Sequence, residues 1–141
     1  MKEDLFQLGI KVIIVNDNKV LLLQVNPDKL RKFTGEPYWD IPGGRIVKGG
    51  SVKETLIREV FEETGITNFD DFRHVGMTLS NIRIPYKNSD TGLILSVYRA
   101  ELKTKPEVTL SEEHINYKWS DWTEVKNLLG VKYPKEFIDL L

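Results

Sequence analysis

At 141 residues, 40% hydrophobic and 29% charged, the chain has enough length for one core, read as a single domain over 1–141. That length excludes a second ordinary domain, and the composition excludes disorder. Twenty basic against 21 acidic residues leave a net charge of -1, with no cysteine. That excludes a bulk field for nucleic acid or an acidic membrane, and it excludes disulfides, thiolate ligands and a cysteine nucleophile. The longest apolar runs, Val12 to Val15 and Val20 to Leu23, fall far short of the ~20 residues that span a membrane. The chain opens with no leader-like pattern, so a cytoplasmic location is expected.

Taken in order, Leu8 to Val15 and Lys19 to Val25 are rich in Val, Ile and Leu, and Asn16-Asp17-Asn18 separates them. This predicts a buried hairpin. A polar loop from Asn26 to Pro37 follows, broken by Pro27, Gly35 and Pro37. Tyr38 to Ile41 reads as a short strand that stops at Pro42-Gly43-Gly44. Ser51 to Thr64 is the best helix: Ser51 with Glu54 makes a capping box, and Gly65 supplies the stop. Further strands are expected at Phe72 to Ile84, Leu93 to Leu102 and His114 to Trp119. In the last, alternation puts Ile115, Tyr117 and Trp119 together on a core face. Asp121 with Glu124 caps a second helix ended by Gly130, and Lys135 to Leu141 adds a further turn or two. Strands, helix, strands, helix in this order imply a mixed sheet with helices outside.

The first helix carries the chemistry. At about 100° per residue, Val52, Leu56, Ile57, Val60 and Phe61 fill one broad sector read as the core face. Glu59, Glu62 and Glu63 gather on its flank, where a carboxylate is costly unless it is paired or binds metal. Oxygen donors three and four residues apart can hold a hard cation such as Mg²⁺, which prefers to be completed by substrate phosphates. Gly43, Gly44, Gly49 and Gly50 just before the helix permit close backbone approach to a bulky ligand.

These residues resemble the Nudix box, G-x5-E-x7-R-E-U-x-E-E-x-G-U with U a bulky aliphatic residue. Gly44 matches the first glycine, and Arg58-Glu59-Val60-Phe61-Glu62-Glu63-Thr64-Gly65-Ile66 matches the remainder. Trp39-Asp40-Ile41-Pro42-Gly43 and Glu113 to Trp119 also look like family sequence. One fixed position departs, since Gly50 stands where the family has its first glutamate. Glu54, four residues before Arg58, has two open roles: brace for that arginine or partner of Ser51 in the cap.

The resemblance implies a Nudix-type α/β/α sandwich with a mixed β-sheet. It also implies a hydrolase that cleaves a pyrophosphate bond in a nucleoside diphosphate linked to another moiety. Glu59, Glu62 and Glu63 would hold Mg²⁺, with Mn²⁺ as the other metal. Arg58 would orient Glu59, and the Gly43 and Gly44 backbone would shape the substrate site. Glu62 is one candidate base, and Glu112 or Glu113 another. His114 is expected to face solvent from its strand. Phe33, Tyr38, Trp39 and Tyr86 lie in or beside loops, where an aromatic ring can stack on a base. The implied partner is a nucleotide-type small molecule, with no nucleic acid and no membrane, and a homodimer is an open assembly. The alternative is a non-catalytic nucleotide-binding module, which Gly50 favours.

Overall fold

The computed structural model describes residues 2–29, 37–69 and 71–141. β1 (Phe6–Asn16) and β2 (Lys19–Val25) form the expected hairpin, with Asn16 opposite Lys19. Its two turn residues, Asp17 and Asn18, have φ of 51° and 59°. Two left-handed residues give the turn whose twist matches the strands, and Asp and Asn tolerate that conformation best after glycine. After a 3-10 turn at Pro27–Lys29, the middle of the polar loop lies outside the described residues, and Phe33 and Gly35 with it.

β3 is Trp39–Asp40 and β4 is Gly43–Arg45. The glycines expected to end a strand therefore form one, antiparallel to β1 with Gly44 opposite Ile10. Helix α1 spans Val52–Thr64: the Glu54 N–H donates to Ser51 Oγ, and Gly65 closes the helix at φ 75°. The single strand expected over Phe72 to Ile84 is instead β5 (Arg73–Leu79) and, past a bend, β6 (Ile84–Tyr86). Then come β7 (Ser89–Glu101), β8 (His114–Ser120), α2 (Trp122–Leu128) and α3 (Lys135–Ile138). The Asp121 cap forms as expected, but α2 stops at Leu128 and tightens into a 3-10 turn at Leu129–Val131 before any effect of Gly130.

The eight strands form one mixed sheet of order β3-β2-β1-β7-β5, with β4 on β1, β6 on β7 and β8 on β2. β1 is central and pairs parallel with β7 from Phe6–Gly92 to Val15–Glu101. Alternation along β1 sends Ile10, Val12 and Ile14 toward α1, and Ile13 and Val15 toward α2 and α3. The result is a mixed α/β sandwich with helices on both faces. Leu56 and Val60 of α1 are fully buried, each worth roughly 1.5–3 kcal/mol relative to exposure.

Two expected core faces are corrected. Ile57 and Phe61 of α1 are exposed, whereas Thr55, Glu63 and Thr64 are buried. The sheet meets the helix along the edge that carries Glu63, so that side of the acid flank turns inward, while Glu59 is partly buried and Glu62 stays exposed. Ile115 and Tyr117 of β8 are also exposed, because α1 covers β1 and leaves that part of β8 uncovered; Trp119 alone of the three packs on the core. Among the described residues, no helix is long and apolar enough to cross a membrane.

Candidate metal and phosphate site

The site forms where β4 crosses between β1 and α1. The Gly43 N–H donates to Glu63 Oε1 at 2.9 Å, tying the strand to the helix through a buried carboxylate. The two glycines are needed for different reasons. A Cβ on Gly43 would overlap the Ile10 carbonyl, and its φ is 152°. A Cβ on Gly44 would meet only the flexible end of Glu59, overlapping its carboxylate. Gly43→Ala is therefore expected to cost more than about 1 kcal/mol of stability. Gly44→Ala is expected to fold with a little-changed melting temperature while displacing Glu59 and weakening Mg²⁺ binding. Thermal melts and Mg²⁺ titration of the two variants separate these outcomes, and equal melting losses would contradict the assignment.

Glu63 on α1, Glu113 in the turn just before β8 and His114 at its start bring one donor atom from each within 4.8 Å of one another. Burial chiefly raises the proton affinity of Glu59 and Glu63, and repulsion from Glu113 adds to both; Glu113 and Glu59 line the same cavity. Arg58 pairs with Glu59 at 3.3 Å. No such contact joins Arg58 to Glu54 among the described residues; Ser51 is the cap, and Glu54 contributes its backbone N–H to it. Glu62 is exposed beside Glu59. At Gly50 the backbone is not left-handed, and a Cβ would stand 3.2 Å from the Val47 carbonyl; a side chain there requires only a small shift of that turn.

His114 is the clearest departure from expectation. Its side chain is 7% exposed, with Nδ1 buried, lacking a hydrogen-bond partner and 3.9 Å from Glu63 Oε2. Burial and the nearby Lys11 charge push its pKa down to about 4. A neutral imidazole nitrogen without a partner, beside buried and exposed carboxylates, is a mixed donor set in which the carboxylates suit Mg²⁺ or Mn²⁺ and the nitrogen a softer transition metal.

Behind the glycines lies a buried charged network that sequence reasoning missed. Asp40 accepts from Lys11 at 3.0 Å, Lys132 at 2.7 Å, the Tyr133 hydroxyl at 2.7 Å and the Ile41 N–H at 2.8 Å. Burial opposes ionisation of Asp40, but the two ammoniums outweigh it and hold its pKa well below the usual carboxylate range. One carboxylate serves two lysines, so Lys132 is pushed down to about 8, chiefly by burial. Lys11 also faces Glu63 and so links the network to the site. Tyr38, one of the aromatics beside the loops, is buried against this network, and Trp39 stacks under Lys118 at 4.5 Å.

Burial dominates at Glu63 as well and pushes its pKa up to about 8, despite Lys11 and the Gly43 N–H. The folded metal-free protein thus holds a proton that the unfolded chain releases near 4.5, and stability falls as pH rises between these values. His114 has the opposite sign: its folded pKa of about 4 lies below its ordinary 6.5, so its contribution to stability rises with pH through that window. Above 6.5 Glu63 acts alone, removing about 2 kcal/mol by pH 8. Beyond about 8, Lys132 reverses the trend, because its folded pKa lies below its ordinary 10.5. The metal-free melting temperature is expected to pass through a minimum near pH 8, and Mg²⁺ should raise it most there. A flat profile from pH 6.5 to 8 would refute this.

An open cavity of about 450 Å³ adjoins the acids, lined by Gln7, Gly43, Gly44, Arg45, Glu59 and Glu113 among others. Arg45 donates to Gln7 Oε1 at 2.7 Å and has no carboxylate within 4.0 Å among the described residues. Its charge is free to meet a phosphate. The sequence signal was a cation directly after the glycine pair.

The profile of the NUDIX domain matches residues 5–141. The chain belongs to the NUDIX domain family. Among curated relatives it is 38% identical over 61 residues to a putative 8-oxo-dGTP diphosphatase of Bacillus subtilis (strain 168). That match covers 43% of this chain and 36% of that protein; the chain spans only about a third of the length of the curated relatives it matches. The MutT protein of Methanosarcina mazei Go1 superposes with a TM-score of 0.72 at 29% identity, covering 99% of this chain and 93% of that one. The NUDIX domain of Shewanella oneidensis NrtR, solved with ADP ribose, gives 0.68 at 18% identity, covering 99% and 87%. At that identity the likeness is one of fold.

Proposed function

We propose that this NUDIX protein hydrolyses a pyrophosphate bond in a nucleoside diphosphate linked to another moiety, using Mg²⁺ or Mn²⁺. The observation that carries the reading is the convergence of Glu59, Glu63 and Glu113 on the Gly43–Gly44 backbone at an open cavity. Glu59, Glu62 and Glu63 hold the metal, with Glu63 the inner ligand and Glu62 at the exposed edge. Bound there, the metal neutralises phosphate oxygens and makes a water nucleophilic near neutral pH. Arg58 fixes the Glu59 rotamer through its ion pair. Arg45 holds a phosphate oxygen, and the bare Gly44 backbone lets the chain of phosphates lie against β4. Glu113 takes the proton from the attacking water, since it is the exposed member of the cluster and approaches from a separate element; Glu62 is the competing base. The 8-oxo-dGTP diphosphatase relative supports a nucleotide substrate of this kind.

The test is a panel of nucleoside triphosphates, sugar nucleotides, dinucleotide polyphosphates and ADP-ribose, each with Mg²⁺ or Mn²⁺, followed by phosphate-product analysis. Metal-dependent products are expected from at least one. Gly50 favours the second reading, a nucleotide-binding module. Saturable binding without cleavage under either metal would establish that reading and overturn the first. Between Glu113→Gln and Glu62→Gln, the base is the one whose loss removes the acidic limb of the pH–rate profile.

A further inference from the structure

A second cavity, of about 260 Å³, lies on the opposite face of the sheet from α1, under α2 and the C-terminal turn. Ile13, Arg73, Val75, Arg99, Trp122 and Leu140 line it. Arg73 of β5 stands directly opposite Arg99 of β7 in the antiparallel ladder. Like charges in that position repel and weaken a sheet. Arg73 has no carboxylate within 4.0 Å among the described residues, and Arg99 has one, Glu101 at 2.7 Å, whose side chain is 66% exposed. An exposed pair of that kind is screened and weak. The Arg99 Nε–H is buried with no acceptor, an unmet donor of the kind folded proteins rarely leave.

The guanidinium is nevertheless held in place. It lies 5.1 Å from the centre of the Trp122 ring, and the Trp122 N–H in turn donates to Asn18 Oδ1 at 3.1 Å. His74 borders the cavity, but its ring is engaged with Ser96 Oγ at 3.0 Å and packs at a tilt against Tyr98, which leaves the two arginines as the donors. Arg73 and Arg99 are partners in the ladder and both line the cavity, and Arg99 has a spare buried N–H; guanidinium donors of this kind match the oxygens of a tetrahedral oxyanion. The volume is below that of a typical drug-sized pocket, so the ligand is small.

We propose that this cavity is a second anion site, distinct from the box, which binds the phosphate group of a small molecule between Arg73 and Arg99. The phosphate has two possible sources, the free inorganic ion and a nucleoside monophosphate. The apolar wall of Ile13, Val75 and Leu140 sits where the body of the second would rest. The full chain, kept metal-free with EDTA, is titrated with inorganic phosphate and separately with AMP while its ¹⁵N NMR spectrum is followed. The Trp122 indole and the Val75 and Arg99 amides should shift saturably. Arg73→Gln, at an exposed position, should not lower the melting temperature, since it relieves the repulsion with Arg99, and should weaken the apparent Kd at least tenfold. Arg99→Gln should do the same where it folds. AMP binding tenfold tighter than phosphate assigns the site to nucleotides, and equal affinity assigns it to the free ion. Shifts confined to the surroundings of Gly44 and Glu59, no shifts at all, or the same Kd in Arg73→Gln would overturn the proposal.

Discussion

Glu63→Gln is expected to fold, to lose turnover by more than about 100-fold, and to be more stable than the parent at pH 8 without metal. Removing a partner that merely supports a metal ligand already costs 10–100-fold, so if Glu63 is the inner ligand proposed above, its loss should exceed that range. The amide oxygen of Gln can still accept from the Gly43 N–H, so the link between β4 and α1 survives. What disappears is a buried negative charge that the metal-free fold disfavours, since the carboxyl holds its proton up to about 8. Glu59→Gln should lose activity comparably with a smaller gain in stability, because Glu59 is less deeply buried. Activity assays beside denaturant titrations at pH 8 with EDTA test both variants. A less active Glu63→Gln protein that is also less stable would show that the carboxylate is structural and not a ligand.

The second large effect is expected at Asp40. Asp40→Asn should cost about 3–5 kcal/mol, the usual penalty for leaving buried charge without its partner. Lys11 and Lys132, each 10% exposed, would then face each other with no carboxylate between them. Lys132→Met should cost much less, because it leaves a neutral Lys11–Asp40 pair and removes an ammonium that burial already disfavours. Urea unfolding of the two variants at pH 7 decides the matter. Equal losses would mean that packing, not charge, governs the network.

Most of the fold was legible because its signals are local. The Asp17-Asn18 turn, the Ser51 and Asp121 caps and the Gly65 stop are each decided by residues within four positions, and all formed as expected. What failed depended on partners distant in sequence. β4 is a strand only because β1 offers it a free edge over Gly9 to Lys11, and a glycine pair carries no strand propensity of its own. The α1 sector was misplaced by hydrophobicity alone: Ile57 and Phe61 outrank Thr55 and Glu63 on any apolar scale, yet the geometry of β4 and Gly43 draws the acid edge inward. Nothing in the helix itself distinguishes those alternatives. The acids Glu59, Glu62 and Glu63 and Arg58 were readable from spacing and resemblance. The buried placement of His114 and the Lys11–Asp40–Lys132 network were not, because each arises where separate segments meet.

The parallel ladder between β1 and β7 joins residues 86 positions apart, from Phe6–Gly92 to Val15–Glu101. Closing so long a loop is entropically unfavourable before any contact rewards it, and chains dominated by such pairings fold slowly. During synthesis the β1–β2 hairpin and α1 emerge early, but the central strand keeps one edge open until β7 has left the ribosome. Through that interval β1, apolar along most of its length, is a template for pairing with another chain. The vulnerable moment in this protein's life is therefore its birth, and slowed elongation between α1 and β7 should raise its tendency to aggregate more than an equal delay after β7.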